Sequence, residues 1–377
     1  MARSRRKLKS LSSRNYVALG LMSGTSMDGI TAALASFDGE GVRVLRHRTY
    51  PYAPKLREKL GRAARLTTPE LSRLNFALGE AFAEAALKLK GRTKLDAIGS
   101  HGQTIWHGPG DEPRNTLQLG EPSVIAERLR TTTVADFRPR DMAAGGEGAP
   151  LVPAFDRFCF GGGPPRAVLN IGGISNVSFV GKGRLWSAFD TGPGNSLLDA
   201  ACRAATRGRL EMDEGGGLAS QGRADRGKVK RLLEEPYFNR KPPKSLDKGY
   251  FGDGYLRRHF APLIPARLPD ILASLSLLTA LSIARACERF APKGERLLEM
   301  IVSGGGTRNG CLMKMLSEEL RCLPLHASDR YGIPAMAKEA AAFAWMAREA
   351  LIGRPNNCPE ATGADRGPRI LGKIIPA

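Results

Sequence analysis

The sequence predicts an α/β protein of two similar lobes, and three observations carry the prediction. A strand, a glycine-rich loop, a strand, a turn, a strand and a helix follow one another from Tyr16. The same series returns after Pro165, and a third glycine-rich loop closes a later strand at Val302. A unit used twice marks two related halves, expected to face one another. With 377 residues and 42% hydrophobic content, the chain has the length for two domains and the composition of a globular protein.

In the first unit, Tyr16 to Met22 is an apolar run that enters the turn Ser23-Gly24-Thr25-Ser26-Met27-Asp28-Gly29. Ile30 to Phe37 leaves it as a second apolar run, so a glycine-rich loop joins two strands. Asp38-Gly39 turns the chain into Val42 to Leu45, a third strand. Thr67 and Glu70 make a capping box ahead of Leu71, Leu74, Leu78 and Phe82 at helical spacing, and Gly91 suits the helix stop. Asp96-Ala97-Ile98 reads as a short strand before a polar loop, Gly102 to Trp106, flanked by His101 and His107. Thr132 to Val134 reads as another strand, before the polar cluster Ala135 to Asp141.

The second unit repeats the plan. Ala167 to Asn170, Val177 to Val180 and Leu185 to Phe189 are its strands, with Ile171 to Asn176 as the glycine-rich loop and Gly181-Lys182-Gly183 as the turn. Asp190-Thr191-Gly192-Pro193-Gly194-Asn195 then opens a helix carrying Leu197, Leu198 and Ala201. Leu298 to Val302 is a strand into the loop Ser303 to Asn309, followed by a helix from Gly310 to Leu320. Ala335 to Leu351 is a further helix, and Arg354 to Pro376, rich in Pro and Gly, is a wrapping tail.

The net charge of +20 attracts phosphates, acidic sugars, nucleic acid or anionic membrane, which concerns encounter rather than chemistry. Residues 1–15 are a basic leader, with Arg3, Arg5, Arg6, Lys7, Lys9 and Arg14 and no carboxylate, expected to be a disordered tail. Elsewhere the basic residues are mixed with acidic ones and lack aromatic interleaving, which disfavours a nucleic-acid surface. Ser12, Ser13, Arg14 and Asn15 interrupt the apolar run a secretory signal needs, so a cytoplasmic protein is expected. The most apolar stretch, Ile271 to Ala284, stops at Arg285, short of the roughly 20 residues of a membrane span, and reads as a buried helix. Six cysteines stand singly without zinc spacing, as free thiols in a reducing compartment do.

Phosphates are gripped by backbone N–H donors, and glycine lets the backbone approach and turn sharply enough to aim several at one anion. Three such loops after three strands point to a phosphate-binding protein, although Ser23 to Gly29 alone is equally a hairpin turn. Neither a Walker loop nor a dinucleotide fingerprint is present. Asp190, at a strand-to-helix junction among glycines, is either a general base whose ionised form the helix N-terminus favours or a plain N-cap. His101 and His107 suit sugar recognition or a structural role. Arg138 or Arg140 is placed to fork a substrate carboxylate or to pair with a neighbouring Asp. Ser175 resembles a nucleophile elbow, but Val177 replaces the closing glycine, which argues against a serine hydrolase.

Taken together, Gly20 to Gly29, Gly99 to Thr104, Ala135 to Arg138, Gly148 to Pro153, Asn170 to Asn176, Phe189 to Asn195 and Val302 to Gly306 resemble the anhydro-N-acetylmuramic acid kinase family, in the family's order. The resemblance implies an actin-like ATPase (ribonuclease H-like) fold of two lobes, each a five-stranded mixed sheet flanked by helices. It divides the chain into residues 16–133 with 350–377, and 134–349. It further implies ATP and Mg2+ as cofactors in the cleft, a small anhydro amino sugar as substrate, a homodimer, and no membrane or nucleic-acid partner.

Carried onto this sequence, the resemblance assigns Gly24, Thr25, Ser26, Met27, Asp28, Gly29, Ile30 and Thr31 to the first phosphate loop and Gly172 and Gly173 to the second. Gly304, Gly305 and Gly306 form the adenosine-side loop, and Asp28 is a metal residue acting through water. Asp190 activates water, Glu339 assists at the sugar or nucleotide or is an exposed helical Glu, and His101, Thr104, Asp136 and Arg138 line the sugar site. One departure is Thr31, where the family usually has Asp, which bears on magnesium affinity. Against this reading stand a hexokinase-like sugar kinase or exopolyphosphatase, and, on charge alone, a nucleic-acid-binding or ATP-driven assembly protein.

Overall fold

The computed structural model describes residues 15–24, 27–39, 41–246 and 249–377. The basic leader, and Thr25 and Ser26 of the first loop, therefore lie outside the described residues. The chain divides into two compact units: the described residues up to Cys159 with Tyr331–Ala377, and Phe160–Arg330. In chain order the first contains strands β1 (Tyr16–Ser23), β2 (Gly29–Asp38), β3 (Gly41–Pro51), β4 (Ala97–Gly108), β5 (Asn115–Leu119) and β6 (Thr133–Ala135). The second holds β7 (Arg166–Ile171), β8 (Ile174–Gly181), β9 (Arg184–Pro193), β10 (Met300–Ser303) and β11 (Leu325–Ala327), and β12 (Lys373–Ile375) returns to the first.

The two sheets share one plan. In the first, β1, β2 and β3 form an antiparallel meander while β4 and β6 extend the other side in parallel, in the order β6-β4-β1-β2-β3. In the second, β7, β8 and β9 form the meander and β10 and β11 the parallel side, in the order β11-β10-β7-β8-β9. The expected five-stranded mixed sheet thus occurs twice. β5, paired with β4, and the tail strand β12, antiparallel to β6, enlarge the first sheet to seven strands.

Alternation along β1 explains how the first sheet is covered on both faces. Leu19 and Leu21 join Leu74, Leu78 and Phe82 of the Thr68–Lys90 helix in one core. That helix starts at the expected capping box, where the Thr67 N–H donates to Glu70 Oε2 at 2.8 Å, and stops at Gly91. Gly20 lies between the two leucines. A Cβ there would sit 1.7 Å from the Ala340 carbonyl oxygen, and one on Gly99 would sit 1.9 Å from that of Phe343, so the Lys338–Leu351 helix rests directly on bare strand backbone.

These contacts correct the expected division at 133/134 and 349/350. β6 hydrogen-bonds within the first sheet, and Lys338 pairs with Asp156 at 2.7 Å inside the same unit, so 134–159 and 331–349 belong with the first sheet.

In the second unit the apolar stretch forms the helix Leu268–Phe290. Leu272, Leu275 and Leu278 pack against Leu197, Tyr237 and Phe238, while Ala280, Ile283 and Ala286 meet Val177, Phe179 and Phe189 of the sheet. By length and composition it is able to cross a membrane, but its apolar residues are buried in this unit's core.

Candidate active site

In the first unit the parallel strands β1, β4 and β6 end along one edge, the usual place for ligands on such sheets. Ser23 of β1 stands opposite Gln103 of β4, and Ser100 opposite Ala135 of β6. Gln103 braces the first loop: its Oε1 accepts from Ser23 Oγ at 2.7 Å and its Nε2 donates to the Gly24 carbonyl at 3.1 Å. This role was not read from the sequence, where Gln103 is one polar residue among several. The loop is also shorter than expected. Gly29, Ile30 and Thr31 already belong to β2, because its ladder with β3 begins at Gly29, and Thr31 Oγ1 meets Thr49 Oγ1 at 2.9 Å. Met27 has a left-handed φ of 56°, and the exposed Asp28 places Oδ1 3.1 Å from Arg57.

The segment from Gly102 to Trp106 is not a loop. It continues β4 through Gly108, and its outer half pairs with β5 across a bulge at Thr104/Trp106. On it, buried His101 is fixed at both nitrogens: Nδ1 lies 3.0 Å from the Gly102 carbonyl, and Nε2 receives the Arg138 Nε–H at 3.1 Å. A carbonyl only accepts, so Nδ1 carries the proton and the ring is neutral. Burial, reinforced by the Arg138 charge, pulls its pKa down to about 3. Burial also pulls Arg138 down, to about 10, against the stabilising charge of Glu339.

Glu339 stands in the first turn of the Lys338–Leu351 helix. Burial raises its carboxyl pKa, while Lys338 and Arg138 pull it back. His101, Arg138 and Glu339 therefore form one connected polar group. Thr104 is buried on β4, with Oγ1 3.5 Å from Gln118 Nε2. Asp136 begins the Phe137–Ala143 helix in a left-handed conformation, and its Oδ2 is 2.5 Å from Lys373 of the tail strand. His107 meets Thr116 at 3.1 Å on the outer part of β4.

In the second unit, β7 and β10 are parallel neighbours with Asn170 opposite Ser303, so the Gly172-Gly173 turn and the Gly304–Gly306 loop emerge side by side. Gly304, at φ 88°, and Gly306 are required by packing: a Cβ on either would come within 2.6 Å and 2.3 Å of Ile171 atoms. At Gly172, Gly173 and Gly305 the nearest atoms to an added Cβ lie 3.5, 3.8 and 3.7 Å away, ordinary van der Waals contact, so packing does not require glycine at these three. The amides of Gly194, Asn195 and Ser196 donate to the carbonyls of Gly172 and Gly173 at 2.8–3.1 Å. A trans peptide aims its N–H opposite its carbonyl, so the Gly173 N–H points away from Asn195. Glycine backbone that packing does not require, turned to aim N–H groups outward, fits a phosphate group.

Asp190 is not at a helix N-terminus. β9 continues to Pro193 and the helix begins at Ser196, because the ladder to β8 persists to Ile174/Pro193. That removes the N-cap alternative and also the expected help from the helix end. Instead, Asp190 Oδ2 accepts from the Leu246 N–H at 2.9 Å, a donor that favours the ionised form. Ser175, buried, has its Oγ 2.8 Å from the Pro193 carbonyl and 3.0 Å from Thr191 Oγ1, a structural role.

The chain matches the family model described as anhydro-N-acetylmuramic acid kinase over residues 16–377. It is 44% identical over 374 residues to anhydro-N-acetylmuramic acid kinase of Xanthomonas axonopodis pv. citri, covering 95% of this chain and 98% of that protein. The protein of the same name from Streptomyces coelicolor is 42% identical over 370 residues, covering 95% and 93%. That from Caldanaerobacter subterraneus subsp. tengcongensis is 39% identical over 394 residues, covering 98% and 99%.

Proposed function

The chain belongs to the anhydro-N-acetylmuramic acid kinase family, ATP-using kinases of cell-wall recycling, and from that premise we propose the chemistry its residues perform. In this reading the kinase acts in the cytoplasm on 1,6-anhydro-N-acetylmuramic acid. Asp190 takes a proton from a water whose oxygen bonds to C1; the C1–O6 bond breaks, and O6 forms a bond to the γ-phosphorus of ATP as ADP leaves. The products are N-acetylmuramic acid 6-phosphate and ADP.

The observation that carries the role of Asp190 is its presentation from β9 with Oδ2 held by the Leu246 N–H, a bond that orients the carboxylate of a general base. The backbone at Gly172, Gly173 and Gly305 is suited to phosphates, as is Gly24 of the first loop. The neutral His101, Arg138 and Thr104 suit the hydroxyls and carboxylate of the sugar, and Glu339 supports Arg138. Magnesium is held by one or two carboxylates together with phosphates and water. The exposed carboxylate of Asp28 fits that pattern, with Arg57 as its competing partner, and the metal would neutralise phosphate charge.

The test is phosphorylation of anhydromuramic acid against ordinary hexoses, with the product mass read directly. Asp190→Asn should lower kcat by at least about a hundredfold while nucleotide affinity stays near that of the parent. Retained turnover would remove Asp190 as the base, and hexose phosphorylation without anhydro-sugar turnover would overturn the substrate.

A further inference from the structure

The environment of Asp190 contains a buried cation to which no role has been given. Lys244 is 5% exposed. Its ammonium lies 4.7 Å from the ring centre of Tyr237, 5.3 Å from Phe290 and 5.6 Å from Phe189, and donates to the Tyr237 carbonyl at 3.3 Å. Aromatic faces stabilise a cation in this way, and among the described residues no carboxylate makes a salt bridge with it.

The same segment holds Asp190 at three points. The Asp190 N–H donates to the Lys244 carbonyl at 3.1 Å, Tyr237 Oη donates to the Asp190 carbonyl at 2.6 Å, and the Leu246 N–H reaches the carboxylate. Strand β8 fixes the backbone from one side through Asn176, and the 237–246 segment fixes it from the other. A carboxylate aimed at a water needs such bracing, since small displacements of a catalytic group cost much of its rate.

We propose that Lys244 and Tyr237 are positioning residues for Asp190. Tyr237 anchors its backbone, and Lys244 locks the segment that holds its carboxylate while adding a positive charge to its surroundings. The charges facing Lys244 agree with this. Burial, then Arg289 and Arg240, lower its pKa to about 8, with Arg285 acting the same way, while Asp190 raises it. Near neutral pH the ammonium is charged, and Asp190 is the carboxylate that benefits. A lysine retained only to pack three rings would have no such partner.

The inference rests on Asp190 being the base, so the experiment carries both questions. The full chain and its Asp190→Asn, Lys244→Met and Tyr237→Phe variants are assayed for kcat and ATP KM from pH 5 to 9. Lys244→Met keeps the apolar stem but removes the charge. It should lower kcat by roughly ten- to a hundredfold with ATP KM little changed, and move the acid limb of kcat up by roughly one pH unit. Tyr237→Phe, which keeps the ring under the lysine, should lower kcat by about two- to tenfold. A purely structural lysine would lower thermal stability and leave the acid limb where it is, which overturns the proposal. If Lys244→Met does not fold, Tyr237→Phe with unchanged kcat overturns it. Full activity in Asp190→Asn brings down the underlying reading instead, and an inactive Asp190→Asn beside unaltered Lys244→Met and Tyr237→Phe brings down this inference alone.

Discussion

The strongest quantitative consequence concerns His101 and acid. Both ring nitrogens are engaged in the neutral form, Nδ1–H toward the Gly102 carbonyl and Nε2 receiving from Arg138. Protonating Nε2 would set two donors and two positive charges against each other in a buried site. The folded pKa accordingly lies at about 3, against 6.5 for a free histidine. The sign follows from linkage: a depressed pKa means the unfolded chain binds the proton more readily, so stability present above pH 6.5 is lost as pH falls toward 3. Between pH 7 and 4.5 this one group should remove roughly 2–3 kcal/mol, out of a typical total of roughly 5–15. Urea unfolding of the parent and of His101→Gln, which does not titrate, isolates it from the carboxylates that also protonate there. The parent should lose about 2–3 kcal/mol more than the variant over that interval. Parallel losses in both would refute the neutral, doubly bonded histidine.

Three further outcomes follow from the packing. Gly20→Ala drives a methyl into the Ala340 carbonyl and should cost about 3 kcal/mol or more in urea unfolding, since a backbone atom cannot step aside. Gly305→Ala meets its nearest atom, Asn195 Nδ2, at an unstrained 3.7 Å, so thermal stability should change by less than about 0.5 kcal/mol while ATP KM rises roughly tenfold; an unchanged KM would remove that turn from the nucleotide site. Lys338→Met removes the cation paired with buried Asp156 and should destabilise by about 3–5 kcal/mol, much of it recovered when Asp156→Leu is added, as a double-mutant cycle would read.

Local pattern and backbone chemistry made much of this protein legible in its sequence. The two strand-loop-strand-turn-strand-helix series, the Thr67/Glu70 cap and the buried Ile271 to Ala284 stretch depend on neighbours close in the chain, and the described residues contain their strands and helices. Where prediction missed, the deciding partner was distant. Gly102 to Trp106 looks like a polar loop until β5 arrives to pair with it. Asp190 looks like a helix cap until β8 holds its strand straight and Leu246 takes its carboxylate.

The unit boundaries moved for the same reason. The Lys338–Leu351 helix is claimed by Gly20 and Gly99, far away in sequence, whose missing side chains show only when the helix is laid upon them. By itself the sequence determined the repeated series of strands, loops and helices and the family they belong to, because periodicity, capping and motif order are written along the chain. Only the tertiary structure decided that Gln103 braces the first loop, that His101 is neutral and that Lys244 stands beside Asp190. Hydrogen bonding and burial depend on what folding brings within a few ångströms, and that is not encoded in spacing.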